Sequence, residues 1–80
     1  MYYLYILKCS DNSFYTGITN DLKKRFEAHR NGTGSKYVRA RLPFIHIYTE
    51  KFSNRSEAQK REYEIKSWNR KRKILELELN

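Results

Sequence analysis

Residues 2–9, YYLYILKC, are apolar on both alternating faces: Tyr3, Tyr5 and Leu7 point one way, Tyr2, Leu4 and Ile6 the other. A strand of that kind belongs in the middle of a sheet covered above and below. The turn cluster Asp11-Asn12-Ser13 separates it from a second short strand, Phe14 to Ile18, so 2–18 reads as an antiparallel hairpin. Asn20 or Asp21 offers an N-cap for a helix over 21–31, which Asn31-Gly32 ends. The stretch 32–43, GTGSKYVRARLP, holds few core residues and reads as a basic loop. Phe44 to Glu50 alternates apolar and polar and makes a third strand. Ser53 or Asn54 caps a helix reaching about Trp68, and Asn69 caps a last one, RKRKILELEL, whose Ile74, Leu75, Leu77 and Leu79 are expected to close the core. The order β-β-α-β-α-α predicts an α+β fold, a three-stranded antiparallel sheet flanked by helices.

Some positions break this patterning. On the first helix Leu22 and Phe26 mark the buried face at i and i+4, yet Arg25 and His29 flank or interrupt the same stripe. On the next helix Ala58 and Ile65 define the apolar stripe, and Glu62 falls between them. A carboxylate there costs several kcal/mol to bury unless it is paired or bound to a metal. The bland account of Glu62 is an ion pair with a nearby arginine or lysine. Tyr5 and Tyr15 are both odd-numbered, so a three-residue loop at 11–13 would put both phenols on one side of the sheet, and a two-residue loop would separate them. Gly17 has no side chain, which leaves room beside its strand for a closely approaching ligand such as a phosphate.

Composition sharpens the picture. Eighty residues make one domain, 1–80, and 17 Lys+Arg against 9 Asp+Glu leave a net charge of +8. Such a charge favours a polyanionic partner, nucleic acid being the commonest. Lys36, Arg39 and Arg41 in the loop and the run Arg70-Lys71-Arg72-Lys73 are candidate contacts to a nucleic-acid backbone. For the tetrabasic run, a solvated helix start is an equal account. No apolar run is long enough to span a membrane, and the N-terminus lacks a signal-peptide layout. Cys9 is the only cysteine, which excludes a disulfide framework and a cysteine-based zinc site and fits a reducing, cytoplasmic setting.

Tyr3-Leu4-Tyr5, Tyr15-Thr16-Gly17, Asp21-Leu22-Lys23-Lys24-Arg25-Phe26 with His29, and the late Glu62 together resemble the GIY-YIG nuclease superfamily. The stretch through GTGSKYVRARLP is similar to small stand-alone bacterial members of it. The likeness covers residues 2 to about 73. It departs at Tyr3, where the signature has glycine, and at Thr16, where Ile or Val is usual. The resemblance implies a metal-dependent DNA endonuclease, of the kind used in DNA repair or recombination. By it Tyr5 and Tyr15 line the catalytic site, Arg25 contacts the phosphate, His29 holds a position given to His or Tyr, and Glu62 binds one metal ion.

That assignment makes chemical sense. A single carboxylate holds a hard cation loosely, with water and phosphate oxygens completing the shell, which suits Mg²⁺ or Mn²⁺. Arginine offers a planar, permanently charged fork for phosphate. His29 or Tyr5 could shuttle the proton, and the residues alone leave that choice open. DNA is the expected substrate, with branched and single-stranded forms among the candidates, and with so few reading elements it is expected to be selected by structure rather than sequence. The competing reading is a non-catalytic nucleic-acid-binding module on the same fold.

Overall fold

A computed structural model describes residues 1–79; Asn80 lies outside them. The sheet has strand order β2-β1-β3, formed by β1 (Tyr2–Cys9), β2 (Phe14–Thr19) and β3 (Phe44–Phe52), antiparallel throughout. The doubly apolar strand is therefore central, as its pattern requires. Leu4, Tyr5, Ile6 and Leu7 are all buried, because β1 carries a separate core on each face. Leu4 and Ile6 pack with Ile65, Leu77 and Leu79 on one side. Tyr5 and Leu7 pack with Val38, Leu22 and Phe26 on the other.

Four helices supply those cores. Helix α1 (Leu22–Arg30) starts where the Asp21 carboxylate accepts from the Lys24 amide, and α3 (Arg55–Lys66) where Asn54 does the same for Glu57. Helix α4 (Arg70–Leu77) is capped by Asn69. Ala58 and Ile65 are the buried residues of α3, as the seven-residue spacing predicts.

The last two helices stop two residues short of the sequence expectation, at Lys66 and at Leu77, where Glu78 turns into the left-handed region, and four further details differ. The basic loop contains a one-turn helix, α2 (Lys36–Arg39), set by the Ser35 cap and anchored by the fully buried Val38. So short a helix leaves no readable period in sequence. Strand β2 runs one residue further than expected, to Thr19, and β3 two further, to Phe52, because Thr19 and Phe52 still pair with β1 opposite Tyr3 and Tyr2. Leu75, assigned to the core edge, is 68% exposed, since Ile74 and Leu77 take the side of α4 that faces the sheet and Leu79, just past the helix end, joins the same core.

Candidate active site

The hairpin register decides the first question. Tyr5 lies opposite Gly17 and Leu7 opposite Tyr15, so odd positions face odd and both phenols share one face. Their rings are 6.3 Å apart, and each meets the His29 ring edge-on, at 5.9 and 5.5 Å. His29 is the one fully buried residue of α1, and its Nε2 lies 2.9 Å from the Tyr5 hydroxyl. Phe26, one turn earlier, closes the opposite edge of Tyr5 with a ring contact at 5.4 Å. Phe26 and His29 thus grip one tyrosine from a single helix.

The room beside Gly17 is already taken. A Cβ there would stand 2.5 Å from the Tyr5 hydroxyl, so the bare backbone accommodates that phenol rather than the approaching ligand the sequence suggested. Gly34 plays a like part for His29: its missing side chain leaves space for Nδ1, 2.6 Å from where a Cβ would be. Nothing in the sequence marks Gly34, since it is tied to His29 only through the fold. That Nδ1 is buried without a hydrogen-bond partner among the described residues. Nε2 and the Tyr5 hydroxyl therefore hold the one hydrogen bond of the imidazole among the described residues, and the ring's tautomer sets which of them donates.

Electrostatics bind the remaining candidates to this pair. Burial pushes the Tyr5 phenol well above its usual range, Tyr15 and Glu62 add to the rise, and the Arg25 charge opposes it. Arg25 and Glu62 therefore act on the same hydroxyl from different helices. The position of β2 explains how: it is the sheet's edge, with α1 against one face and α3 against the other. Arg25 is half-buried and walls a hollow of about 310 Å³ together with Lys24, Thr33 and Gly34. Glu62 is half-buried and paired with Lys66 at 3.3 Å, so the ion pair anticipated as its bland explanation does form. No group of three His, Cys, Asp or Glu side chains converges to hold a metal among the described residues. A cation bound at Glu62 would have to draw its other ligands from water and phosphate, which Mg²⁺ and Mn²⁺ tolerate.

The basic candidates divide. Lys36, Arg39 and Lys71 are exposed and make no ion pair among the described residues. Arg41 is engaged within the fold: it pairs with Asp11 at 3.0 Å, donates to the Tyr37 carbonyl and lies 3.8 Å over the Tyr37 ring. That ring stacks in turn on Tyr15 at 5.9 Å, so Arg41 and Tyr37 brace Tyr15 from behind. Arg70 lies over Phe14 and donates to the Asn12 carbonyl, which ties α4 to the hairpin turn. Arg72 lies over Trp68, and Lys73 is half-buried with its pKa depressed by burial, Lys66 and Arg70. Sequence reasoning treated these side chains as equivalent cations, and it passed over Tyr37 because its link to Tyr15 spans two elements.

Burial, and then the Arg25 charge, hold the His29 pKa below its usual 6.5. The unfolded chain takes up that proton first as pH falls, so the stability His29 contributes is complete above about pH 6.5 and lost below it. Urea unfolding between about pH 7.5 and 5.5 should show stability falling with pH, with a flatter profile in His29→Gln. An unchanged slope in the variant would refute a buried neutral imidazole.

Comparison with known proteins agrees with the geometry. The GIY-YIG catalytic domain model matches residues 1–75. The UPF0213 protein CPE1444 of Clostridium perfringens is 55% identical over 74 residues, covering 92% of this chain and 80% of its own. The solution structure of EF2693 from E. faecalis superposes with a TM-score of 0.69 at 46% identity, covering 96% of this chain and 82% of that one. That of the UPF0213 protein BH0048 from Bacillus halodurans does so at 0.61 and 43%, covering 94% and 81%. With the hairpin, the third strand and α1 to α3 all inside the matched span, the chain belongs to the GIY-YIG catalytic domain family.

Proposed function

We propose that this protein is a divalent-metal-dependent endonuclease that hydrolyses DNA phosphodiester bonds and selects DNA by structure rather than sequence. The observation that carries the reading is the hydrogen-bonded Tyr5–His29 pair with Tyr15 against it; the charges of Arg25 and Glu62 shift its phenol in opposite directions. One small region thus offers a fixed proton-handling group, a phosphate fork and a carboxylate for a hard cation. Phosphodiester hydrolysis needs those three parts.

The roles follow from access. His29 is fully buried with Nε2 committed to Tyr5, so it is a positioning residue and does not itself touch water. Tyr5 keeps its proton at neutral pH, because burial disfavours the phenolate. To accept a proton from water it would first release its own to solvent, and a cation held at Glu62 would favour that phenolate by offsetting the negative charges of Glu62 and phosphate. Arg25 holds a non-bridging phosphate oxygen and stabilises the charge that builds there. Glu62 would hold the Mg²⁺ or Mn²⁺, which when bound polarises the phosphate and activates water. The free cations Lys36, Arg39 and Lys71 meet the backbone beyond the cut and read no bases, which favours recognition by shape.

The decisive assay is cleavage of labelled linear, single-stranded and branched DNA with Mg²⁺ or Mn²⁺, with EDTA as the paired control. Metal-dependent cutting is the expected outcome, and Arg25→Ala should lower turnover at least tenfold more than Lys71→Ala does. Equal losses would refute the assigned roles. The Glu62–Lys66 pair favours one other reading, a nucleic-acid-binding module in which Glu62 is purely structural; binding without cutting on every substrate would establish it.

A further inference from the structure

Where β2 ends and the chain turns toward α1, a second hollow of about 210 Å³ is lined by Tyr2, Ile18, Thr19, Asn20, Arg25 and Arg55. Its wall holds two guanidinium groups and no carboxylate. Neither arginine has an ion-pair partner among the described residues, whereas Arg41 and Arg61 do. Arg70, which opens α4 as Arg55 opens α3, has the Asn12 carbonyl and the Phe14 ring for partners. Arg55 has no such partner. It also stands at the end of α3 where the helix dipole disfavours a cation and favours an anion. Like charges at one hollow repel, and a bound anion converts that repulsion into attraction.

Helical geometry relates this hollow to the candidate site. Residues 55 and 62 are seven apart on α3, so they lie on one face, with Ala58 and Ile65 in the same stripe. They are separated by about 10 Å along the axis. A strand covers that distance in roughly two or three nucleotides. Arg25 belongs to both hollows and lies between them. We propose that Arg55 holds a second backbone phosphate of the bound strand, displaced from the cut position toward the start of α3, with Arg25 standing between the two phosphates. Thr19 and Asn20 supply further polar groups around that phosphate. The proposal rests on the nuclease reading only in taking Arg25 and Glu62 to mark the cut.

The test needs no cleavage. Affinity for a short labelled single strand is measured in EDTA across a range of salt for the parent, Arg55→Ala, Arg55→Lys and Lys60→Ala. Lys60 is an exposed cation on another face of the same helix, lining a different hollow with Glu57 and Glu64. Arg55→Ala should weaken binding roughly fivefold at low salt and lower the slope of log affinity against log salt by about 0.7. Arg55→Lys should recover most of the loss, and Lys60→Ala should change affinity less than about twofold. Because Arg55 is exposed, its variants should keep the parental melting temperature; Arg55→Gln serves in place of any that does not. A loss no larger than that of Lys60→Ala would overturn the proposal. So would saturable shifts at Thr19 and Asn20 caused by inorganic phosphate alone, with strand affinity indifferent to Arg55→Ala, since the site would then hold only a free anion. A protein that binds through Arg55 yet never cuts would overturn the nuclease reading and leave this one intact.

Discussion

Glu62→Gln is expected to cut metal-dependent DNA cleavage by about three orders of magnitude or more and to leave the fold and metal-free DNA affinity almost unchanged. The amide has nearly the volume and shape of the carboxylate, but it is neutral and a poor ligand for a hard cation. No group of three His, Cys, Asp or Glu side chains converges among the described residues to hold the cation in its place. The structural loss is small. Glu62 pairs only with Lys66, one turn along the helix and more than half exposed, and such pairs contribute about 0.3–0.5 kcal/mol. Removing a negative charge beside a polyanion should, if anything, tighten binding in EDTA. Three readings are required together: cleavage rate with metal, strand affinity without it, and melting temperature. A well-folded variant that cuts as fast as the parent would end the assignment of Glu62. A variant that loses binding along with cleavage would show that the carboxylate supports the DNA surface instead.

The same variant illustrates where sequence reading succeeds and where it stops. Glu62 stood out because it interrupts an apolar stripe whose period is local to one helix, and Ala58 and Ile65 are indeed buried on either side of it. The central place of β1 was legible for the same reason: an eight-residue strand states its own two faces. The pairing of Tyr5 with Gly17 hung on one loop length, which composition alone left undecided. Partner choice was out of reach. Arg41 and Lys36 look alike in a basic loop, yet Arg41 is pinned by Asp11 thirty residues away, and Lys36 forms no ion pair among the described residues. His29 was marked as a stripe-edge histidine, but its full burial comes from Tyr5, Tyr15, Phe44 and Gly34, which converge from four separate segments. Periodicity reports which face of an element is covered; it does not report what covers it.

Gly17→Ala should be the most damaging single methyl in the hairpin. The new carbon would stand 2.5 Å from the Tyr5 hydroxyl, 2.7 Å from its Cζ and 3.2 Å from a Tyr15 ring carbon, so Tyr5 must move. It has little freedom to do so: it is 1% exposed and held by Phe26, His29 and the strand itself. Overpacking of this kind costs about 1–3 kcal/mol. A shift of the phenol also breaks the bond to Nε2, leaving His29 with neither nitrogen partnered, for about 1–3 kcal/mol more. The sum, roughly 2–6 kcal/mol, is a large part of what an 80-residue domain possesses, and the melting temperature should fall by about 10 °C or more. Activity should fall further, by about a hundredfold even in the molecules that remain folded, because a displacement near one ångström misplaces the proton-handling hydroxyl. Stability measured in a second background separates this cause from a general dislike of alanine in the strand. In Tyr5→Leu, whose side chain ends short of the clash, the Gly17→Ala penalty should largely vanish, giving strongly non-additive stabilities. A penalty of the same size in both backgrounds would mean that Gly17 is needed for its backbone alone, and that the tyrosine is placed by something other than the space it leaves.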